Sequence, residues 1–149
     1  MSQGEMLGPV DDAVGYVLKQ AAVALRNAMD AALRPLHLTV PQYACLELLG
    51  QHPGLSNAEL ARGTFVTRQS MNVVLRGLED RGLVTRPVTA PRGRELPTVL
   101  TQAGLDHLRT ASVAIRRIEK KMCGDLTPAQ QKGLLEALAT CVRSLADTP

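Results

Sequence analysis

The strongest constraint on this chain is a run of helix-start and helix-stop signals in fixed order between residues 56 and 101. Ser56-Asn57-Ala58-Glu59 reads as a capping box. The serine hydroxyl takes an orphan backbone N–H, and the glutamate three residues on reaches back to the cap. A short helix follows with Leu60 and Ala61 inward, ending near Gly63. Thr67 then caps a second helix running to about Arg81, with Met71, Val74, Leu75 and Leu78 at the 3–4 spacing of one buried face. Gly82 stops it, since a left-handed C-terminal cap favours glycine. Leu83–Arg86 and Pro97–Leu100 read as two strands, the second with its proline at an edge. The turn-rich stretch between them carries Pro91, Arg92, Gly93 and Arg94, and Thr101 opens another helix.

Long amphipathic helices flank this centre. Val14, Val17, Leu18, Ala21, Leu25, Ala28, Met29 and Ala32 fall on one face of a helix that starts near Asp11 and stops before Pro35. Thr39 and Gln42, with Pro41 between them, form a second capping box for a helix whose apolar side is Tyr43, Leu46, Leu49 and Cys45. Leu105, Leu108, Ser112, Ile115, Ile118 and Met122 step along the helix after Thr101. Thr127-Pro128-Ala129-Gln130 opens the last one, with Leu134, Leu135, Leu138, Cys141, Val142 and Leu145. The expected fold is mainly α, a winged helix-turn-helix. Long dimerisation helices lie at both ends (residues 11–34 and 102–146), and a DNA-binding lobe with a two-stranded wing spans 38–101. The 149 residues suit one domain. Helices from both termini pair readily and leave an apolar stripe for a second copy.

Charge points the same way. Seven arginines and two acids lie between Arg62 and Arg94, a local charge of +5 in a chain of +3 overall. A basic centre on a neutral frame suits a polyanion. Single-strand binding by stacking is disfavoured, because the aromatics are only Phe65, Tyr16 and Tyr43. The three cysteines are far apart and form no disulfide or zinc-finger pattern. His37, His52 and His107 have no ligand spacing, so no metal or other cofactor is expected. No nucleophile elbow, phosphate loop or paired-acid motif argues for an enzyme. Without a signal segment or an apolar stretch of membrane length, a cytoplasmic location with no membrane partner is the expectation.

In a winged helix-turn-helix the second helix enters the major groove with its N-terminal residues nearest the bases. Thr67, Arg68, Gln69, Ser70 and Asn72 form that face here, and Arg76 lies further along for a phosphate. Arginine can bridge guanine O6 and N7, and Gln or Asn can bridge adenine N6 and N7. Ser56 and Asn57 can meet the phosphate backbone from the preceding helix, and Arg86 joins the basic set at the wing. Each residue alone is an ordinary cap or a solvated arginine; the order of the parts makes the case.

Leu38-Thr39-Val40-Pro41-Gln42-Tyr43, Leu60-Ala61, Leu78-Glu79-Asp80-Arg81-Gly82-Leu83-Val84-Thr85-Arg86 and Leu100-Thr101-Gln102-Ala103-Gly104 together resemble the MarR family of regulators, over about residues 11 to 146. The resemblance implies a homodimer on a pseudo-palindromic double-stranded operator, repression, and a wing arginine in the minor groove, here Arg94. Arg92 stands where many members place a bracing aspartate. The resemblance also implies a small aromatic or phenolic ligand, for which Tyr16, Arg26, His37 and Tyr43 are the candidates. A redox signal through cysteine is the alternative, with Cys45 the earliest in the chain. A non-specific DNA-binding or protein-interaction winged helix is the other.

Overall fold

The computed structural model describes residues 9–87 and 97–146. Among them are six α-helices and one small sheet. The order is α1 (Val14–Leu33), α2 (Val40–Gln51), α3 (Asn57–Thr64), α4 (Arg68–Asp80), β1 (Val84–Thr85), β2 (Val99–Leu100), α5 (Gln102–Met122) and α6 (Pro128–Ala146). The chain forms two compact units, residues 1–115 and 116–149, and α5 runs from one into the other.

All the expected capping devices form. Thr39 Oγ1 accepts from the Gln42 N–H at 3.2 Å while Gln42 Oε1 accepts from the Thr39 N–H at 3.0 Å. Ser56 and Glu59 make the same reciprocal pair, and so do Thr127 and Gln130. These contacts satisfy N–H groups that a helix start leaves orphaned. Gly82 adopts φ +71 after α4, the left-handed stop its position called for.

Two boundaries differ from the sequence reading, and a third gains detail. Residues Val10–Asp12 form a separate 3-10 turn, and extended backbone at Ala13 starts α1 at Val14 rather than near Asp11. The α-helix stops before Pro35 as its position implies, and the chain goes on into a 3-10 turn, Arg34–Leu36, that holds the proline. Proline is tolerated there because its missing N–H is unneeded in a first turn. The wing strands are shorter than expected, with Val84 opposite Leu100 and Thr85 opposite Val99. The sheet gains a third edge instead. Leu55 bridges Thr98, whose N–H donates to Leu55 O at 3.1 Å, and the Gly54 N–H donates to Thr98 O at 2.9 Å.

The first unit holds the core. Leu33 of α1, Leu46 and Leu49 of α2, Leu60 of α3, and Met71, Leu75 and Leu78 of α4 are fully or almost fully buried. Each such side chain removed from water contributes roughly 1.5–3 kcal/mol. Val84 and Leu108 close the same cluster from β1 and α5. Three of the four α4 residues expected to face inward are therefore sealed, and Val74 is partly so. The face of α4 opposite them is left to solvent.

By contrast, α1 and α6 carry unpartnered apolar rows. Val14 is 77% exposed, and Leu135, Val142 and Leu145 are each about 70% exposed, at 71%, 70% and 70%. Soluble monomers seldom leave rows of this kind to water.

Candidate nucleic-acid interface

The Thr67 cap sets the direction of α4. Thr67 Oγ1 accepts from the Ser70 N–H at 3.0 Å and donates to Ser70 Oγ at 3.0 Å. Its hydroxyl is thus occupied in holding the helix start, while the Ser70 hydroxyl keeps its own proton for a partner outside the protein. From that start Arg68, Gln69, Ser70, Asn72 and Arg76 all project exposed. Arg68, Asn72 and Arg76 follow each other at intervals of four and share one stripe of the helix. Val73, 71% exposed beside them, is an apolar element the sequence reading did not single out. In a major groove such a side chain would suit the thymine methyl group.

Ser56 is buried and uses its oxygen as the α3 cap. The Ser56–Glu59 contacts hold the Glu59 carboxyl below the ordinary value of 4.5, chiefly through its hydrogen bond from the Ser56 backbone N–H. Asn57, the next residue, donates from Nδ2 to Asn72 Oδ1 and so joins the start of α3 to the exposed stripe of α4. Arg86 is held by Glu79. Its Nε donates at 3.0 Å and its Nη2 at 2.5 Å to Glu79 Oε1. The pair sits at the turn from α4 to β1, partly shielded, so Arg86 braces the root of the wing. Arg92 and Arg94 lie outside the described residues.

Two connections were not foreseen. Arg81, the last residue of the α4 turn, donates from Nη1 to His37 O at 2.6 Å and from Nη2 to Leu36 O at 3.4 Å. His107 Nε2 of α5 lies 2.9 Å from the same Leu36 carbonyl. His37 has φ +55, a strained angle for a non-glycine residue. Its turn is thus fixed from two other helices. The second is Glu47, a charged residue inside the apolar run of α2. It accepts from Ser112 Oγ of α5 at 3.0 Å, from Tyr43 Oη at 3.4 Å and from Gln51 Nε2 at 3.1 Å. The lone acid among leucines was the only sequence signal for this network.

The ligand candidates are spread out. Tyr16 and Arg26 are both exposed on α1, and ten residues of helix separate their Cα atoms by about 15 Å. Arg26 is within 3.9 Å of Asp30, an exposed pair. Tyr43 is buried with its hydroxyl directed to Glu47, and His37 is exposed at its turn.

The cysteines differ sharply. Burial pushes the Cys45 thiol from its ordinary value of 9.0 up to about 12, whereas Cys141 is exposed. The thiolate is the reactive form, so Cys45 makes a poor oxidant sensor. Iodoacetamide at pH 8 is expected to reach Cys45 only after denaturation. Rapid native labelling at residue 45 would contradict this. The same burial sets a pH dependence. The unfolded chain releases the proton near 9.0 and the folded one near 12, so stability is complete below 9 and declines between these values. A Cys45→Ala variant is expected to lose that component of the slope.

Among the described residues no three His, Cys, Asp or Glu side chains gather as a metal site, and no helix is long and apolar enough to cross a membrane.

Comparison with known proteins places these features in company. A MarR family profile matches residues 37–95. The HTH-type transcriptional repressor Rv2887 of Mycobacterium tuberculosis is 45% identical over 138 residues, covering 90% of this chain and 99% of that one. The crystal structure of Rv2887 with DNA superposes with a TM-score of 0.72 at 41% identity, over 86% of this chain and 96% of the other. Its complex with salicylic acid gives 0.71 at 44% identity, over 88% and 98%.

Proposed function

Because this chain belongs to the MarR family, we propose that it is a homodimeric transcriptional repressor that grips a pseudo-palindromic operator and lets go on binding a small aromatic acid. One observation carries the reading: α4 buries Met71, Leu75 and Leu78 completely and turns Arg68, Gln69, Asn72 and Arg76 to solvent. A helix anchored on one side, with a polar and cationic other side, is built to enter a groove. Arg68 and Gln69, nearest the N-terminus, read bases. Ser70 and Arg76 take phosphates, and Ser56, Asn57 and Thr67 hold the two helix starts in place. Arg86 roots the wing through Glu79, and Arg92 and Arg94 reach the minor groove or its phosphates.

The exposed apolar rows of α1 and α6 supply the surface between two copies. Half-sites then lie about 34–36 Å apart, one turn of the duplex. The ligand class follows the salicylic acid complex of Rv2887. Tyr16 and Tyr43 can stack or hydrogen-bond, and Arg26 and His37 can meet a carboxylate. The protein acts in the cytoplasm and carries no catalytic function. Release requires only that the ligand favour one separation of the reading helices over another.

Selection of bound duplexes from a random pool, followed by titration with sodium salicylate, tests the reading. The expected result is a dimer in sedimentation, a palindromic consensus, and a fall in affinity with added salicylate at fixed ionic strength. The log–log salt slope should fall by about 0.9 for each phosphate-contacting arginine removed. A monomer with no preference among duplexes at low salt would end it.

A further inference from the structure

Asn72 is the one exposed side chain on the reading stripe of α4 whose amide is held by a residue of α3. Its oxygen accepts from Asn57 Nδ2, so the amino group is the half of this exposed amide left for a partner outside the protein. The orientation of Asn57 has a physical reason. Its other amide atom, Oδ1, is buried without a partner. Rotating that amide by half a turn would bury an amino group with two unmet donors instead. Proteins tolerate an under-satisfied carbonyl oxygen better than orphaned N–H groups.

Asparagine reads adenine through two bonds at once, donating to N7 and accepting from N6. The bond from Asn57 takes one of the two lone pairs of the Asn72 oxygen and fixes that oxygen toward α3, so the side-by-side pair of bonds that adenine needs is not presented to the base. We propose that Asn57 converts Asn72 into a donor-only probe, and that its base in each half-site is guanine, with two acceptors, or thymine, with O4, rather than adenine, whose one acceptor N7 lies beside the N6 donor. Asn57 is thus a positioning residue that acts on specificity through its neighbour. This rests on the placement of α4 in the major groove given above.

The test uses the full-length protein, the duplex selected by wild type, and every single-base change in its half-site at one salt concentration. The position read by Asn72 is the one whose preference flattens in Asn72→Ala. Wild type is expected to prefer guanine or thymine there. In Asn57→Asp the new carboxylate can only accept, so it draws the Asn72 amino group inward and turns the Asn72 oxygen to the groove. Preference at that position should move toward cytosine or adenine by about fivefold or more, with the other positions unchanged. An aspartate suits the first turn of a helix, which favours folding of this variant. Should it fail to fold, Asn72→Asp keeps an acceptor for Asn57 and is expected to shift the same position toward cytosine. An unchanged base profile in the folded variant, or adenine preferred by wild type at that position, overturns the proposal. If Arg68→Ala and Gln69→Ala also leave every position unchanged, the placement of α4 itself has failed.

Discussion

Gly104→Ala should destabilise the protein by about 3 kcal/mol, although alanine is ordinarily the better helix former by roughly 1 kcal/mol. Gly104 is in the first turn of α5, pressed against the chain just before β1. A Cβ there would lie 2.0 Å from the Leu83 carbonyl oxygen, a backbone atom without a rotamer to yield. That oxygen also accepts from the Thr101 N–H at 3.0 Å, and Thr101 Oγ1 donates to Gly82 O at 2.6 Å. Making room for a methyl group would therefore break the junction of wing and α5. For a chain of this size the melting temperature should fall by roughly 6–12 °C. Gly133→Ala on α6 is the matched control, since its Cβ meets nothing within 4 Å. It should leave the melt unchanged or raise it slightly. A Gly104→Ala protein that melts with wild type would show that α5 does not press on Leu83.

The second large effect concerns binding. On the function proposed above, Arg68→Ala would remove one base contact from each half-site, and each such contact is worth about 1–3 kcal/mol. With two copies on one operator the loss should reach about 30-fold or more in affinity. Arg109→Ala removes the same charge from an exposed position on α5, where Arg109 pairs loosely with Asp106. It should weaken binding little. Equal losses for the two variants would mean that Arg68 contributes only to the general field. Arg68 lies next to the Thr67 cap, so both variants need matching thermal melts before their affinities are compared.

Sequence spacing made the helices legible because their signals are local. Thr39–Gln42, Ser56–Glu59 and Thr127–Gln130 each lie three residues apart, and each forms the contact its residues imply. The buried face of α4 followed from periodicity alone. Contacts between elements were not legible in the same way. Glu79 and Arg86 are separated by a helix end and a turn, so Arg86 read as one more basic residue of the wing. Arg81 meets carbonyls more than forty residues away, a pairing no local pattern encodes. Asn57 and Asn72 both read as DNA contacts, and their mutual bond emerged only once α3 and α4 were packed. α1 stops at Leu33, ahead of Pro35, as the local constraint on the residue before a proline implies; the 3-10 turn Arg34–Leu36 that follows was not read.

The guanidinium of Arg81 has a mechanical implication. It clasps the far end of α4 to the Leu36–His37 corner, and His107 grips that corner from α5. Helix α4 is therefore no free-swinging finger. The bend between α1 and α2 and the C-terminal end of α4 are riveted together, so neither can shift without carrying the other or shearing these bonds.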